Sequence, residues 1–354
     1  MALLPDKPES ATVAAIYADL AKRNDAPRGY LGGSVIGREC ERQLWYGFRW
    51  ASPEKFEGRM LRLFDRGQRE EAVFVAELRA IGVKVLDVDP STGQQFRFTA
   101  VHGHAGGSMD AVALGIPEAP KTWHVCEFKT HNSKSFAALV KDGVQKAKHE
   151  HYAQMQIYMR WAQLTRALYL AVNKDNDELH VERIRYDPCF AEYLEAKAER
   201  VIFAQEPPQG ISTDPAFYKC KFCPASKVCH TEKLPGASCR TCLHATPERD
   251  GDGRWSCAKW GADIPMDAQA KGCKEHRFIP VLLKRWGEVA DASAEGNWVE
   301  YRAPDGYVFR NGAPGPSSFA SSELAAATPA TLRDGFVSQV RAEFGATIIQ
   351  SEAA

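Results

Sequence analysis

Residues 106–131 read GGSMDAVALGIPEAPKTWHVCEFKTH, and this stretch decides the fold. Two extended apolar segments are separated by a loop rich in Gly and Pro, a pattern that predicts a β-hairpin. Because side chains alternate between the two faces of a strand, the second segment divides into two sets. One face carries Trp123, Val125, Glu127 and Lys129, and the other carries His124, Cys126, Phe128 and Thr130. Both faces hold large apolar groups, so we expect a central strand that is covered on both sides.

Charged residues on such a strand require an explanation. An acid and a base buried there cost several kcal/mol unless they are paired or bound to a metal. Glu127 and Lys129 share one face of the second segment, and Asp110 lies between Met109 and Ala111 in the first. The alternative is an edge strand whose charges are solvated.

Helical patterns flank the predicted hairpin. Residues 60–82 read as one helix, because Met60, Phe64, Gly67, Phe74 and Leu78 recur at helical spacing. Glu71 falls on that apolar stripe, whereas its neighbour Glu70 follows a basic line formed by Arg59, Arg62, Arg66 and Arg69. Such a line is also typical of a solvated helix face.

A second helix is predicted at residues 149–164, where Gln154, Tyr158 and Trp161 share one side. Such residues are also common at the polar boundary of an amphipathic helix.

Composition limits the classes of function. The 354 residues suggest two or three domains, and 45 Lys plus Arg balance 45 Asp plus Glu, which excludes a globally basic nucleic-acid binder. No apolar run is long enough to cross a bilayer. Asp6, Lys7 and Glu9 lie where a signal peptide needs an apolar stretch, so we expect a cytoplasmic protein without a membrane partner.

Seven of the ten cysteines lie between Cys220 and Cys273, a density that favours metal binding over disulfides in a reducing compartment. The first group consists of Cys220, Cys223 and Cys229. It is one ligand short of the four that a tetrahedral metal site or an iron-sulfur cluster needs. Cys40 is the best candidate for the fourth, because it lies in GRECERQLWYGF, a polar-to-aromatic helix start. We expect Cys126, inside an apolar strand, and Cys189, at a strand end after Pro188, to be small buried hydrophobes, and on spacing alone the same alternative stays open for Cys40. Four thiolates from distant segments suit an iron-sulfur cluster, with zinc as the alternative.

A second group of thiols is complete by itself. Its members are Cys239, Cys242, Cys257 and Cys273, with His244 and His276 as substitutes. The sequence ERDGDGRWSC within it predicts a hairpin turn, and a CxxC knuckle followed by a hairpin is how small zinc ribbons are built. We therefore favour zinc for this group.

Taken in order, Glu71, Asp110, Glu127-x-Lys129 and Gln154-x3-Tyr158 resemble the active site of the PD-(D/E)XK nuclease superfamily, in particular its RecB-like exonuclease branch. Gly67 to Glu71 matches the GxxxH or GxxxE of that branch, with Glu in place of the more frequent His. Branch members with an iron-sulfur cluster, such as the AddB nuclease domain and the CRISPR-associated exonucleases, have one Cys before the core and three after it. Cys40, Cys220, Cys223 and Cys229 match that layout. The resemblance covers residues 31–235.

The resemblance implies an α/β fold with a restriction-endonuclease-like core, a mixed central sheet flanked by helices. It implies Mg²⁺ or Mn²⁺ bound by Glu71, Asp110 and Glu127, a Lys129 that orients the attacking water, and Gln154 and Tyr158 that steady the metal shell or the phosphate. It also implies a [4Fe-4S] cluster. Candidate DNA contacts are Arg59, Arg62, Arg66, Lys134 and Lys148.

The resulting prediction is a metal-dependent DNA nuclease, an exonuclease, that acts in recombination, repair or phage DNA processing. The substrate would be single-stranded or open-ended DNA, with a helicase or recombination protein as a partner. Two alternatives stay open: a catalytically silent nucleic-acid-binding or assembly protein that uses the zinc module, and an iron-sulfur redox protein.

Four regions are predicted. Residues 1–30 form an N-terminal helical segment, 31–235 the nuclease domain, 236–283 a small zinc-ribbon-like module, and 284–354 a C-terminal extension. Within the extension, residues 312–331 are rich in Ala, Ser, Gly and Pro and predict a linker, followed by a short helix from Leu332 to Phe344.

Overall fold

The structure is a computed structural model that describes residues 10–24 and 27–349. The charged start of the chain, with Asp6, Lys7 and Glu9, lies outside the described residues. Within the described ranges, no helix is both long enough and apolar enough to cross a membrane.

The helices begin and end at the following residues: α1 (Ala11–Ala21), α2 (Gly33–Ile36), α3 (Glu41–Phe48), α4 (Gly58–Ala80), α5 (Ser133–Ala147), α6 (His149–Ala162), α7 (Pro188–Phe203), α8 (Tyr218–Lys221), α9 (Ser226–His230), α10 (Met266–Gln269), α11 (Ser321–Ala326), α12 (Pro329–Arg333) and α13 (Gly335–Phe344). Short 3-10 helices lie at Cys239–Thr241 and Pro280–Leu283.

The strands are β1 (Leu31–Gly32), β2 (Lys84–Leu86), β3 (Arg97–Ala100), β4 (Ala105–Ser108), β5 (Ala111–Leu114), β6 (His124–His131), β7 (Arg166–Asn173), β8 (Leu179–Arg185), β9 (Ala245–Pro247), β10 (Trp255–Cys257), β11 (Ala262–Asp263), β12 (Glu288–Ser293), β13 (Trp298–Arg302), β14 (Val308–Asn311) and β15 (Ser318–Phe319).

A mixed five-stranded sheet forms the centre, in the order β2-β5-β6-β7-β8. Only β6 and β7 are parallel neighbours in it, and the β5–β6 pair is the predicted antiparallel hairpin. Val125 and Cys126 point to opposite faces of β6, and each is 0% exposed. The prediction of a central, doubly covered strand is therefore confirmed, and the edge-strand alternative is wrong.

Helices cover both faces of this sheet. On one face, Phe74 and Leu78 of α4 pack with Cys126 and Phe128 of β6. On the other face, α6 contributes Met155 and Ile157 to the larger core. The predicted helices at residues 60–82 and 149–164 are confirmed as α4 and α6.

The predicted apolar stripe of α4 is buried only in its C-terminal half. Met60 is 40% exposed and Phe64 is 43% exposed, because this half of the helix packs beside α1 rather than on the sheet. There Phe64 contacts Phe56, with ring centroids 5.0 Å apart.

The first predicted segment of the hairpin is broken at Met109 and Asp110. Before the break, β4 belongs to a small sheet in the order β1-β4-β3, and after it β5 joins the central sheet. The change of sheet places Asp110 at the junction, beside the middle of β6.

The cysteine-rich region is joined to the main core. Strands β9, β10 and β11 form an antiparallel sheet, and β9–β10 is the predicted hairpin. Trp255 of β10 is buried in the main core. Arg240 of the CxxC turn is 0% exposed, donates hydrogen bonds to the carbonyls of Phe48 (2.9 Å) and Gly29 (2.7 Å), and lies over the ring of Trp50. The cysteine-rich region thus packs on the main core through a buried cation.

The structure differs from the linker prediction for residues 312–331. This stretch forms β15, α11 and the start of α12, and Phe319 (2% exposed) and Leu324 (0%) pack on Tyr301 and Phe309 of the four-stranded sheet β12-β13-β14-β15. The small residues gave a linker-like composition, but the few apolar ones are spaced so that they complete a core. The predicted terminal helix is present as α13.

Two phenylalanines of the extension test this correction. Phe319→Ala should lower the free energy of unfolding by about 3–5 kcal/mol, because it removes a buried ring. Phe336→Ala is the matched control, since Phe336 is 74% exposed and should change little. Urea unfolding of the full chain measures both, and equal stability of the two variants would support a linker instead.

Candidate active site

Glu127 is the least solvated carboxylate of the site. It lies in the middle of β6 and is 0% exposed, and Lys129 Nζ forms an ion pair with its Oε1. Apart from that ammonium, neither side-chain oxygen of Glu127 has a hydrogen-bond partner among the described residues. Burial raises the pKa of Glu127, and Lys129 partly offsets that rise. A carboxylate in this position is expensive to keep ionised, which favours a bound cation.

Lys129 is held close to the same strand. Its ammonium donates a hydrogen bond to the carbonyl oxygen of Phe128 (3.1 Å) in addition to the ion pair with Glu127. Burial opposes the charged form of Lys129, but the carboxylates of Glu127 and Asp110 outweigh it and raise the pKa of the ammonium. The ammonium therefore contacts two oxygens that a divalent cation would also seek.

Asp110 is fixed to this strand from the neighbouring junction. Its Oδ2 accepts a hydrogen bond from the backbone amide of Phe128 at 2.8 Å. The peptide group between Glu127 and Phe128 therefore donates its N–H to the Asp110 carboxylate. This contact sets the position of the Asp110 carboxylate relative to Glu127.

Glu71 approaches the same group from α4. One turn further along the helix, Phe74 packs on Phe128 with ring centroids 5.3 Å apart, so the face that carries Glu71 is turned towards β6. Burial and the Asp110 carboxylate raise the pKa of Glu71 to about 7, while Lys129 lowers it. The structure therefore brings Glu71 into electrostatic contact with Asp110 and Lys129.

Tyr158 and Gln154 lie on the buried face of α6, where they are 2% and 7% exposed. Burial and the carboxylates of Glu127 and Asp110 raise the pKa of the Tyr158 phenol, which stays protonated. Gly107 makes room for that phenol, because a Cβ atom there would collide with the Tyr158 hydroxyl. The same hydroxyl is therefore held beside the junction that carries Asp110.

Sequence reasoning missed a polar network beside Lys129. Tyr169 Oη lies 2.8 Å from His131 Nε2 and 2.8 Å from His151 Nδ1. Ser135 Oγ lies 3.0 Å from His131 Nδ1 and accepts a hydrogen bond from Lys148 Nζ at 2.6 Å. Strand alternation was the available signal, since His131 follows Glu127 and Lys129 on the same face of β6.

The structure also brings together the four thiols of the interrupted set. Burial raises the pKa of Cys220 and of Cys223, and for both thiols the neighbouring Cys40 and Cys229 raise it further. Cys40 caps the start of α3 and so joins the beginning of the fold to this late loop. Arg42 Nη1 donates a hydrogen bond to Cys229 Sγ (3.9 Å).

The thiols of the contiguous set, Cys239, Cys242, Cys257 and Cys273, also lie close to one another. Burial, then Cys273 and Cys257, raise the pKa of Cys239, and burial raises the pKa of Cys242 to about 11. Each of the two substitute ligands uses one ring nitrogen elsewhere. His276 Nε2 lies 3.2 Å from Thr241 Oγ1, and His244 Nε2 lies 2.7 Å from Asn297 Oδ1. His276 Nδ1 is buried and has no hydrogen-bond partner among the described residues.

The two remaining thiols differ from each other. Cys126 is a buried hydrophobe in the sheet, as predicted. Cys189 is exposed in the first turn of α7, so the expectation of a buried residue at a strand end was wrong. The segment after Pro188 begins a helix because Asp187 accepts a hydrogen bond from the amide of Phe190 at its N-terminus.

In residues 10–24 and 27–349, no group of three or more His, Cys, Asp or Glu side chains is arranged so that it could hold a metal ion. The carboxylates and both thiol sets are therefore neighbours but not finished coordination cages. The unbonded oxygens of Glu127 nevertheless fit a hard divalent cation, because oxygen is the donor that Mg²⁺ and Mn²⁺ prefer. The thiols likewise fit a soft metal by their chemistry.

The predicted DNA contacts lie in two surroundings. Arg59, Arg62 and Arg66 are exposed on α4, and Lys134 is exposed on α5. Lys148 is half-buried and is committed to Ser135.

Several solved structures resemble the chain. The protein SSO0001 is 15% identical, at a TM-score of 0.37, and the match covers 62% of this chain and 97% of that one. The exonuclease LHK-Exo in complex with dAMP is 16% identical, at a TM-score of 0.37, with 53% of this chain and 90% of that one covered. The alkaline exonuclease LHK-Exo from Laribacter hongkongensis has the same identity and coverage at a TM-score of 0.33.

No protein-family model matches the chain, and no curated protein matches it in sequence. The structural likenesses are distant and assign no function to the chain.

Glu71 makes the stability of the protein depend on pH. Its folded pKa of about 7 lies above the ordinary 4.5, so the stability it contributes is present below about pH 4.5 and is lost as the pH rises through 7. In EDTA at about pH 8, Glu71→Gln should therefore be about 1–3 kcal/mol more stable than the parent protein. At about pH 4 the two should be equally stable.

Urea unfolding at the two pH values measures the difference. Glu70→Gln is the matched control, because Glu70 is the adjacent acid on the same helix. A Glu71→Gln variant that is no more stable than Glu70→Gln at the higher pH would contradict the proximity of Glu71 to Asp110.

Proposed function

We propose that this chain is a metal-dependent DNA nuclease of the PD-(D/E)XK type, an exonuclease of the RecB-like branch. The observation that carries the proposal is Glu127, a fully buried carboxylate whose one partner among the described residues is the ammonium of Lys129. Asp110 accepts a hydrogen bond from the backbone amide of Phe128, and Lys129 forms an ion pair with Glu127. Carboxylates and a lysine on one strand pair are the set that phosphodiester hydrolysis with a divalent metal requires.

Glu71, Asp110 and Glu127, together with the carbonyl oxygen of Phe128, would hold Mg²⁺ or Mn²⁺. A bound divalent cation supplies positive charge against the charge that develops on the phosphate in the transition state. The chain's own residues position the reactants around that charge.

Lys129 would hydrogen-bond the attacking water and stabilise negative charge near it. Tyr158 stays a neutral phenol and donates a hydrogen bond to a phosphate oxygen, and Gln154 steadies the same region from one turn away. Because both residues come from α6, the helix fixes their spacing relative to β6.

Exposed arginines support a DNA strand as the substrate. Arg59, Arg62 and Arg66 precede Glu71 on α4, and twelve residues of helix span about 18 Å. Contacts from these side chains to phosphates would be independent of base sequence and would weaken with salt. We infer single-stranded or open-ended DNA, with unwinding left to a helicase or recombination protein.

Cleavage assays test the proposal. With end-labelled single- and double-stranded DNA and Mg²⁺ or Mn²⁺, Asp110→Asn and Lys129→Met should each slow cleavage by about a hundredfold or more. DNA binding should persist in both variants, because neither residue belongs to the arginine row. EDTA should abolish cleavage by the parent protein.

Matched controls are Glu70→Gln for the acid and Lys141→Met for the base, since Lys141 is exposed on α5. Undiminished cleavage by Lys129→Met would contradict the proposal. DNA binding without cleavage by the parent protein would favour the catalytically silent binding protein. A coloured protein that neither binds nor cleaves DNA would favour the redox alternative.

Two thiol centres complete the proposal. Cys40, Cys220, Cys223 and Cys229 would hold a [4Fe-4S] cluster, and Cys239, Cys242, Cys257 and Cys273 would hold Zn²⁺. The mutual rise in thiol pKa within each set supports this, because a bound cation would relieve it. The first centre would close the nuclease domain, since it joins residue 40 to a loop near residue 220.

Metal analysis separates the two centres. Anaerobically purified protein should contain about four iron atoms and about one zinc per chain and absorb broadly near about 400 nm. Cys40→Ser should lose the iron and keep the zinc, and Cys257→Ser should do the reverse. Two zinc ions without iron or sulfide would contradict the cluster and leave the nuclease proposal standing.

A further inference from the structure

The network of His131, Tyr169 and His151 lies against the catalytic lysine. Tyr169 on β7 is the register partner of Glu127, and Ala171 is the partner of Lys129. The Lys129 side chain leans back along β6, because its ammonium contacts Glu127 Oε1 and the carbonyl oxygen of Phe128. Its charged end is thus beside Tyr169 rather than beside its own partner. The Lys129 ammonium also lowers the pKa of Tyr169, as expected for neighbours, although burial raises it overall.

The hydrogen bonds of Tyr169 leave it able to accept one more. Burial, aided by nearby lysines, lowers the pKa of His131 to about 4 and of His151 to about 3, so both rings are neutral. A neutral ring offers one donor and one acceptor. If both rings donated to Tyr169 Oη, the buried hydroxyl proton would have no acceptor, which is costly. Tyr169 Oη therefore donates to one ring and accepts from the other, and one lone pair stays unused.

A divalent cation bound to Glu127 and to the carbonyl of Phe128 would compete with the Lys129 ammonium for both oxygens. The ammonium must then find another acceptor, because a charged group without a partner is costly in a half-buried place. Ala171 is too small to obstruct a side chain that moves across this face.

The geometry points to Tyr169 as the second acceptor of the Lys129 ammonium, with His131 and His151 holding its hydroxyl in place. Tyr169 is then a positioning residue: it lets Lys129 leave Glu127 when the metal arrives and keeps it beside the reacting phosphate. This inference rests on the proposed function.

Mn²⁺ affinity, measured from the EPR signal of the free ion in the absence of DNA, tests it without reference to activity. Tyr169→Phe should raise the Mn²⁺ Kd about tenfold, because the displaced ammonium loses its acceptor. Lys129→Met should lower the Kd, because it removes the competing cation. In the double variant Lys129→Met/Tyr169→Phe, the effect of the tyrosine substitution should shrink to less than about twofold.

Controls separate this role from a purely structural one. Tyr301→Phe removes another buried hydroxyl, one without a hydrogen-bond partner in the C-terminal core, and should leave Mn²⁺ affinity unchanged. His151→Leu should reproduce part of the Tyr169→Phe effect. His151→Asn, whose side-chain amide can replace Nδ1 as either donor or acceptor, should restore parental affinity.

The outcomes are distinguishable. Mn²⁺ binding in which Tyr169→Phe has the same effect with and without Lys129 would overturn this inference alone. A parent protein that does not bind Mn²⁺ would overturn both the inference and the proposed function.

Discussion

The structure depends on a carboxylate buried in the centre of a doubly covered sheet. Glu127 is fully buried, and within the described part of the chain its one cationic partner is the Lys129 ammonium, which also donates a hydrogen bond to the Phe128 carbonyl. Three features of the surrounding structure are built around this buried carboxylate. Asp110 is placed by a change of sheet, Gly107 admits a phenol, and α4 turns Glu71 inward. Glu127 and Glu71 destabilise the fold when they are ionised and no cation is bound, because burial raises the pKa of both. Functional sites commonly differ from the rest of a core in this way.

Buried cations tie the outer regions to this core. Arg240 lies between the rings of Phe48, Trp50 and Trp255, and Arg49 lies over Trp45 and the same Trp255. Burial lowers the pKa of Arg240 to about 9 and of Arg49 to about 10, so aromatic faces and carbonyl oxygens take the role of a counter-ion. The cysteine-rich region is thereby attached to α3 independently of any metal, and loss of a metal from its thiols need not release it.

Local patterns in the sequence were sufficient for the central elements. The alternation around Glu127 identified a covered strand, and helical spacing identified α4 and α6, because burial imposes a period on the residues themselves. The predictions that were wrong concern residues whose burial depends on segments distant in the sequence. The exposed half of α4 depends on α1, and Phe319 and Leu324 are buried by strands that precede them in the chain. The Tyr169 network likewise combines three elements, and only His131 on β6 was marked by a local period.

The candidate carboxylates could be identified from the sequence, because charged residues stand there among apolar ones. Their positions relative to one another could not be predicted in this way.

The most direct measurement is an anomalous difference map from crystals of the chain grown with Mn²⁺. The account predicts a peak among Glu71, Asp110 and Glu127, with the Lys129 ammonium moved from Glu127 to Tyr169. A map with no peak there, with Lys129 still paired to Glu127 at saturating Mn²⁺, would contradict it.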